Sequence, residues 1–217
     1  MEKYELKHNW RRGVLHDLYV AIAVDAFARA ENAYIEINEQ ENQEPNGRTY
    51  ELLAEIRRNC IETICFSVMA LEAFINTFSA VYVSENFAQT IDHLDVSSKW
   101  IVTMQVSKGV ELKKGEAPIQ RLAKCVKMRN SFVHSKSTRV NLQEYGSMAI
   151  PKMNLLKDYM VPAYESLQAL KDANNWLEKN WKTDTLKFDL AEMKKKDIGR
   201  FEKIENTWIF LDWPMII

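Results

Sequence analysis

The run Arg129-Asn130-Ser131-Phe132-Val133-His134 places three phosphate-handling side chains within six residues. An arginine fork can grip a phosphate through two parallel hydrogen bonds and offset charge that develops on it. A histidine titrating near neutrality can take or return a proton. An asparagine carboxamide can orient that imidazole or bind a phosphate oxygen. At about 100° per residue, Ile119, Leu122, Ala123, Val126 and Val133 fall on one helical stripe, with Asn130 near its centre. Arg129 flanks that stripe on one side and His134 on the other, so the helix is expected to direct all three inward. Groups buried this way require partners, the arginine most of all. Two readings stay open at this level. In one, the three line a catalytic groove. In the other they are structural: Arg129 pairs with an acid and His134 caps the helix end. Glu72 is the acid best placed for that pairing, on an apolar helix with Asn76 one turn later on the same side.

Other chemistries find little purchase. Glycine scarcity excludes a Walker A loop and a GxGxxG fingerprint, and no GxSxG elbow is present. The four histidines (His8, His16, His93, His134) are scattered, with no HExxH, so no metal site is expected and no cofactor is called for. Cys125 lies nine residues before His134, which on one helix puts the two about 180° apart. The three cysteines form no CxxC pair, which argues against a disulfide framework and for a reducing compartment.

The elements that must position these residues are helices. Gly and Pro together number 11 of 217, about 5%, where an average chain carries roughly 12%. Apolar residues make up 47% and charged residues 27%, enough to build a core. Five main helices are expected. The first runs from about Trp10 to Asn38 and is followed by a polar loop, Glu39–Arg48. The second runs from about Thr49 to Val83 and is apolar on nearly all sides after Cys60, as a central helix is. Ser84–Asp95 reads as a turn or broken helix, and Asp95 is a candidate cap for a third helix reaching about Ser107. After a glycine-bearing loop, Pro118 suits the first turn of a fourth helix ending near Val133. Ser135–Pro151 is polar and irregular. A fifth helix spans about Asn154–Trp181, kinked by Pro162. The tail, 182–217, is charged and then apolar, and is expected to form a short helix and an apolar strap.

Net charge is −1, but it is unevenly placed. Residues 1–108 carry 10 basic and 16 acidic side chains, net −6, and residues 109–217 carry 19 and 14, net +5. The window 108–139 alone holds nine basic residues against Glu111 and Glu116, a local +7 suited to a phosphate backbone. A solvated loop and helix face is the plainer account of the same charges. Lys124, Lys127, Lys136 and Arg139 are the candidate RNA contacts. The polar start, Met1–Arg12, has no apolar signal core behind it, and Glu62, Glu72 and Asn76 interrupt the one span-like stretch, Cys60–Val83. No membrane partner is expected, and the reading is cytoplasmic.

The segment Arg129–His134 resembles the R-N-x-x-x-H form of the RX4-6H motif of HEPN domains (higher eukaryotes and prokaryotes nucleotide-binding). Phe66–Ala80, FSVMALEAFINTFSA, is similar to the central helix of several HEPN families. The Trp100 region, the basic loop and the motif then follow in order, so the resemblance covers roughly residues 50–180. It implies an all-α antiparallel bundle: one domain over 1–217, with a HEPN-like core at about 50–180. The N-terminal helix 10–38 and the tail 182–217 are additions to it. It also implies a homodimer, and for many members a metal-independent endoribonuclease of toxin–antitoxin, phage-defence or RNA-processing systems, an antitoxin protein being a further partner. Other members are silent modules for nucleotide, RNA or protein binding. Carried onto this chain, Arg129 and His134 match the fixed motif positions and Asn130 the polar second position, while Glu72 and Asn76 are supporting residues by helix context. RNA cleavage without a metal uses the 2′-OH as an internal nucleophile already adjacent to the phosphate. One copy of the motif supplies one base and one cation, and a two-fold axis would bring two copies into one groove.

Overall fold

The computed structural model describes residues 10–39, 46–109, 111–133, 155–180, 201–204 and 207–210. The fold is all-α. Its helices are α1 (Trp10–Glu39), α2 (Gly47–Tyr82), α3 (Glu85–Thr90), α4 (Val96–Lys108), α5 (Ala117–Val133) and α6 (Val161–Asn180). The expected five are all present, and the short α3 occupies the stretch read as a turn or broken helix.

α2 is central, touched by each of the other five helices or their leading turns. Its start is set by Asn46, whose side-chain oxygen accepts the Thr49 N–H at 3.1 Å while the Thr49 hydroxyl accepts the Asn46 N–H at 3.2 Å. α1 runs antiparallel along it. Tyr19 meets Phe66, the Ala23 carbonyl accepts the Thr63 hydroxyl at 3.3 Å, and Arg29 reaches Asn59 and Glu62. By composition and length α2 could cross a membrane, yet its apolar side chains Ile56, Ile64, Val68, Leu71, Phe74, Ile75 and Phe78 are fully enclosed by the neighbouring helices. Phe74 joins three elements: Trp100 of α4 stacks on it at 5.6 Å and His16 of α1 meets it edge-on at 5.3 Å. The Trp100 indole N–H donates to the Leu71 carbonyl at 3.2 Å, which satisfies its one polar atom inside the core.

Asp95 caps α4 as expected, accepting the Ser98 N–H at 3.1 Å, and the Ser98 hydroxyl bond holds its carboxyl below the usual range. Gly109 ends α4 with φ +67°, the left-handed conformation that favours glycine at a helix terminus. The break foreseen at Pro162 takes a different form. Leu156–Met160 is a π-helical turn that leads into α6, where Pro162 offers no N–H to the carbonyl one turn earlier.

The short helix and strap expected over 182–217 lie largely outside the described residues, of which the tail supplies two strands. Phe201–Ile204 and Thr207–Phe210 pair as an antiparallel two-stranded ribbon, with Phe201 opposite Phe210 and Ile204 opposite Thr207. Thr, Trp, Ile and Phe favour extended backbone.

Candidate functional site

α5 carries the sequence-derived constellation, and its inward face lies elsewhere than the stripe centred on Asn130. Ile119, Leu122 and Cys125 are buried, and Met128, Arg129 and Phe132 are half-buried. Ala123 and Asn130 are exposed, and Val133 is 59% exposed. On a wheel of about 100° per residue, this inward arc has Arg129 near its middle, and Asn130 sits about 100° away toward solvent. The stripe of small and branched apolar residues that includes Ala123 is centred on Asn130, whereas the buried volume of Cys125, Met128 and Phe132 centres the packed face on Arg129. Asn130 therefore does not point into the bundle.

Arg129 is the residue that does. Its Nε is shielded from solvent and has no hydrogen-bond partner, and no acid pairs with its guanidinium among the described residues. The Arg129 charge acts on a thiol of α2. Burial raises the pKa of half-buried Cys65 on α2, and the Arg129 charge pulls it partly back. Cys65 and Cys125 are both held protonated, Cys125 pushed up to about 12 by burial, so neither is an activated nucleophile.

The acid proposed for Arg129 is occupied elsewhere. Glu72 lies 3.4 Å from Nζ of Lys99, a lysine of α4 that is 1% exposed and also holds Asp92 at 3.0 Å. Glu72 is seven residues beyond Cys65 on α2, about 10 Å along the helix axis. Asn76, one turn further, lines a cleft of about 420 Å³ between α1, α2 and α3, with Gln89 and Asp92 on its other side. The structure thus places Glu72 and Asn76 together, as their spacing implied, further toward the C-terminal end of α2 than Cys65, the thiol that the Arg129 charge reaches. Lys99 was missed in the sequence although the signal was there. Val96, Lys99, Trp100, Thr103 and Met104 repeat with helical period, and all five are buried.

The basic face of α5 is also less free than its charge suggests. Arg121 pairs with Asp172 of α6 at 2.8 Å, and Lys124 pairs with Glu165. Of the expected RNA contacts, Lys127 is exposed and has no ion pair among the described residues. His134, Lys136 and Arg139 lie outside the described residues. Among the described residues, no three His, Cys, Asp or Glu side chains converge as metal ligands.

No family model matches the chain, and no curated protein or solved structure matches it either.

Proposed function

We propose that the chain is a metal-independent endoribonuclease of HEPN type, in which Arg129 holds the scissile phosphate and His134 moves the proton. The observation that carries this reading is the state of Arg129: a cation turned inward on α5, its Nε shielded, with no acid opposite it among the described residues. A half-buried guanidinium without a counter-charge favours an anion beside it, and a phosphodiester supplies one in bidentate geometry. Lys127, exposed on the same helix, adds backbone attraction. In the reaction the 2′-OH attacks the adjacent phosphorus, the 5′-oxygen leaves with a proton, and a 2′,3′-cyclic phosphate remains on the upstream fragment. A homodimer would bring a second histidine to the same groove to supply the other proton-transfer role. Leu15, Leu18 and Met69, exposed by 42%, 49% and 36%, are apolar side chains that a partner copy or an antitoxin protein would cover. A cytoplasmic setting follows from the same reading.

A second reading, a catalytically silent HEPN module that binds nucleotide, RNA or a protein, is favoured by one observation. Asn130 faces solvent and Glu72 is engaged by Lys99, so neither supports Arg129. Cleavage separates the two. Purified protein incubated with labelled tRNA and mRNA should cut them in excess chelator, and a single deoxyribose at the scissile position should block the cut. His134→Ala should lose most activity while helicity is kept. Intact RNA with wild-type protein, or cleavage that requires added Mg²⁺ or Mn²⁺, overturns the ribonuclease mechanism.

A further inference from the structure

The face shared by α1, α2 and α3 combines exposed apolar side chains with an excess of acid. Leu15, Leu18 and half-buried Ile22 recur at i, i+3 and i+7 along α1, and Met69, Ala73 and Asn76 at i, i+4 and i+7 along α2. The two helices run antiparallel, with Tyr19 against Phe66 and Leu15 beside Ala73, so the two rows form one strip about two turns long. At its Leu15 end the strip opens into the cleft of about 420 Å³ beside α3. Leu15, Ala73 and Ala88 are the apolar wall of that cleft, and Glu85, Asp92, Asn76 and Gln89 bring oxygen acceptors to it.

The charge around the strip has one sign. Between Arg12 and Arg29 the chain carries Asp17 and Asp25 and no lysine or arginine. Between Arg58 and Lys99 it carries Glu62, Glu72, Glu85, Asp92 and Asp95, and again no lysine or arginine. Arg29 is taken up by Asp25 and Glu62, and Lys99 by Glu72 and Asp92, so both cations are spent within the acidic surface.

We infer that this face docks a basic amphipathic helix of a different protein, with an arginine of that helix seated in the cleft. Apolar anchors spaced i, i+3 or i+4 and i+7 on the partner match the strip. The arginine stem lies on Leu15, Ala73 and Ala88, and its guanidinium donates to the carboxylates of Glu85 and Asp92 and to the carboxamide oxygens of Asn76 and Gln89. A second copy of this chain is the poorer occupant. A two-fold interface sets a patch against itself, so the acids of the two copies would face one another. A head-to-tail copy would have to offer the basic face of α5, where Arg121 and Lys124 are already paired with Asp172 and Glu165. Of the two occupants allowed above for Leu15, Leu18 and Met69, charge therefore selects the different protein, whether or not the chain cuts RNA.

The probe is a labelled designed helix of about 18 residues, a leucine stripe flanked by arginines, titrated into the full chain by fluorescence anisotropy. A second probe keeps the stripe and replaces every arginine by glutamate. The arginine probe should bind tighter than the glutamate probe by at least about tenfold, and raised salt should weaken it. Leu18→Arg and Met69→Arg, each checked for unchanged helicity, should weaken the arginine probe on the order of tenfold, and sedimentation should find the oligomeric state of both variants unchanged. Glu85→Gln should weaken the same probe by less, having removed a charge and kept the shape. No binding of the arginine probe, equal binding of the two probes, or binding that survives both arginine substitutions overturns the docking surface. A changed oligomeric state in either variant assigns the face to a second copy and overturns it too. Cleavage of RNA by the same preparations reports separately on the ribonuclease reading.

Discussion

Arg129→Met separates a functional arginine from a structural one, because the two roles predict opposite changes in stability. Removing one partner of a buried ion pair costs about 3–5 kcal/mol, since the other charge is left stranded. No acid faces Arg129 among the described residues, so the change strands no charge among them. What the change removes is a shielded Nε with no hydrogen bond, whose desolvation costs about 1–3 kcal/mol. What it forfeits is the packing of the stem against the inward arc of α5, most of which methionine restores. The net change should be a stabilisation of no more than about 2 kcal/mol, a Tm rise of no more than about 8 °C in a domain of this size. Activity should behave otherwise. Loss of one group that stabilises charge in the transition state typically lowers the rate by about 10²–10³. Thermal unfolding by circular dichroism and single-turnover RNA cleavage on the same preparation give both numbers. A loss of more than about 3 kcal/mol would show that Arg129 holds the fold together, and the functional reading of this residue would fall. Unchanged cleavage would refute it from the other side.

Three further outcomes follow from particular contacts. Lys127→Met should reduce the dependence of RNA affinity on salt by about 0.7 in the log–log slope, whereas Lys124→Met, whose charge Glu165 already compensates, should change it less; titrations at several salt concentrations check this. Asp95→Ala should cost about 1 kcal/mol at neutral pH through loss of the α4 cap. Its folded pKa is depressed, so that stability is present above the ordinary carboxylate pKa of about 4 and is lost as pH falls through the folded value; denaturant melts of both proteins should converge in acid. Gly109→Ala should cost about 1 kcal/mol in urea denaturation, because φ is +67° while nothing lies within 4 Å of the added Cβ, so the penalty is conformational and not steric.

The helical framework was legible because its signals are local. Scarce Gly and Pro, the apolar run after Cys60 and the cap at Asp95 each act within a few residues, and each element formed where they pointed. The two strands of the tail were not legible, because a run as short as Thr207–Phe210 is too brief for its periodicity to separate helix from strand. Pro162 signals a break, and the chain meets it with a wider π turn just ahead of the proline, within which Met160 is buried and its sulfur accepts the Cys60 thiol at 3.5 Å across the core.

The candidate site was legible in part, and the error in it is instructive. A wheel drawn from hydropathy weights every apolar residue alike, so Ala123 drew the apparent core face toward Asn130. Burial follows volume more closely than label. On α5, Met128 and Phe132 pack against the core while Ala123 is exposed, and the centre moves onto the arginine. Glu72 shows the complementary limit. It was expected opposite Arg129, and the structure pairs it with Lys99 of α4 instead. The α4 register accounts for that pairing: Lys99 sits one residue before Trp100, whose stacking on Phe74 and bond to the Leu71 carbonyl fix α4 against α2 at the level of Glu72. With Lys99 in that place, Glu72 has its cation, and among the described residues no acid stands opposite Arg129.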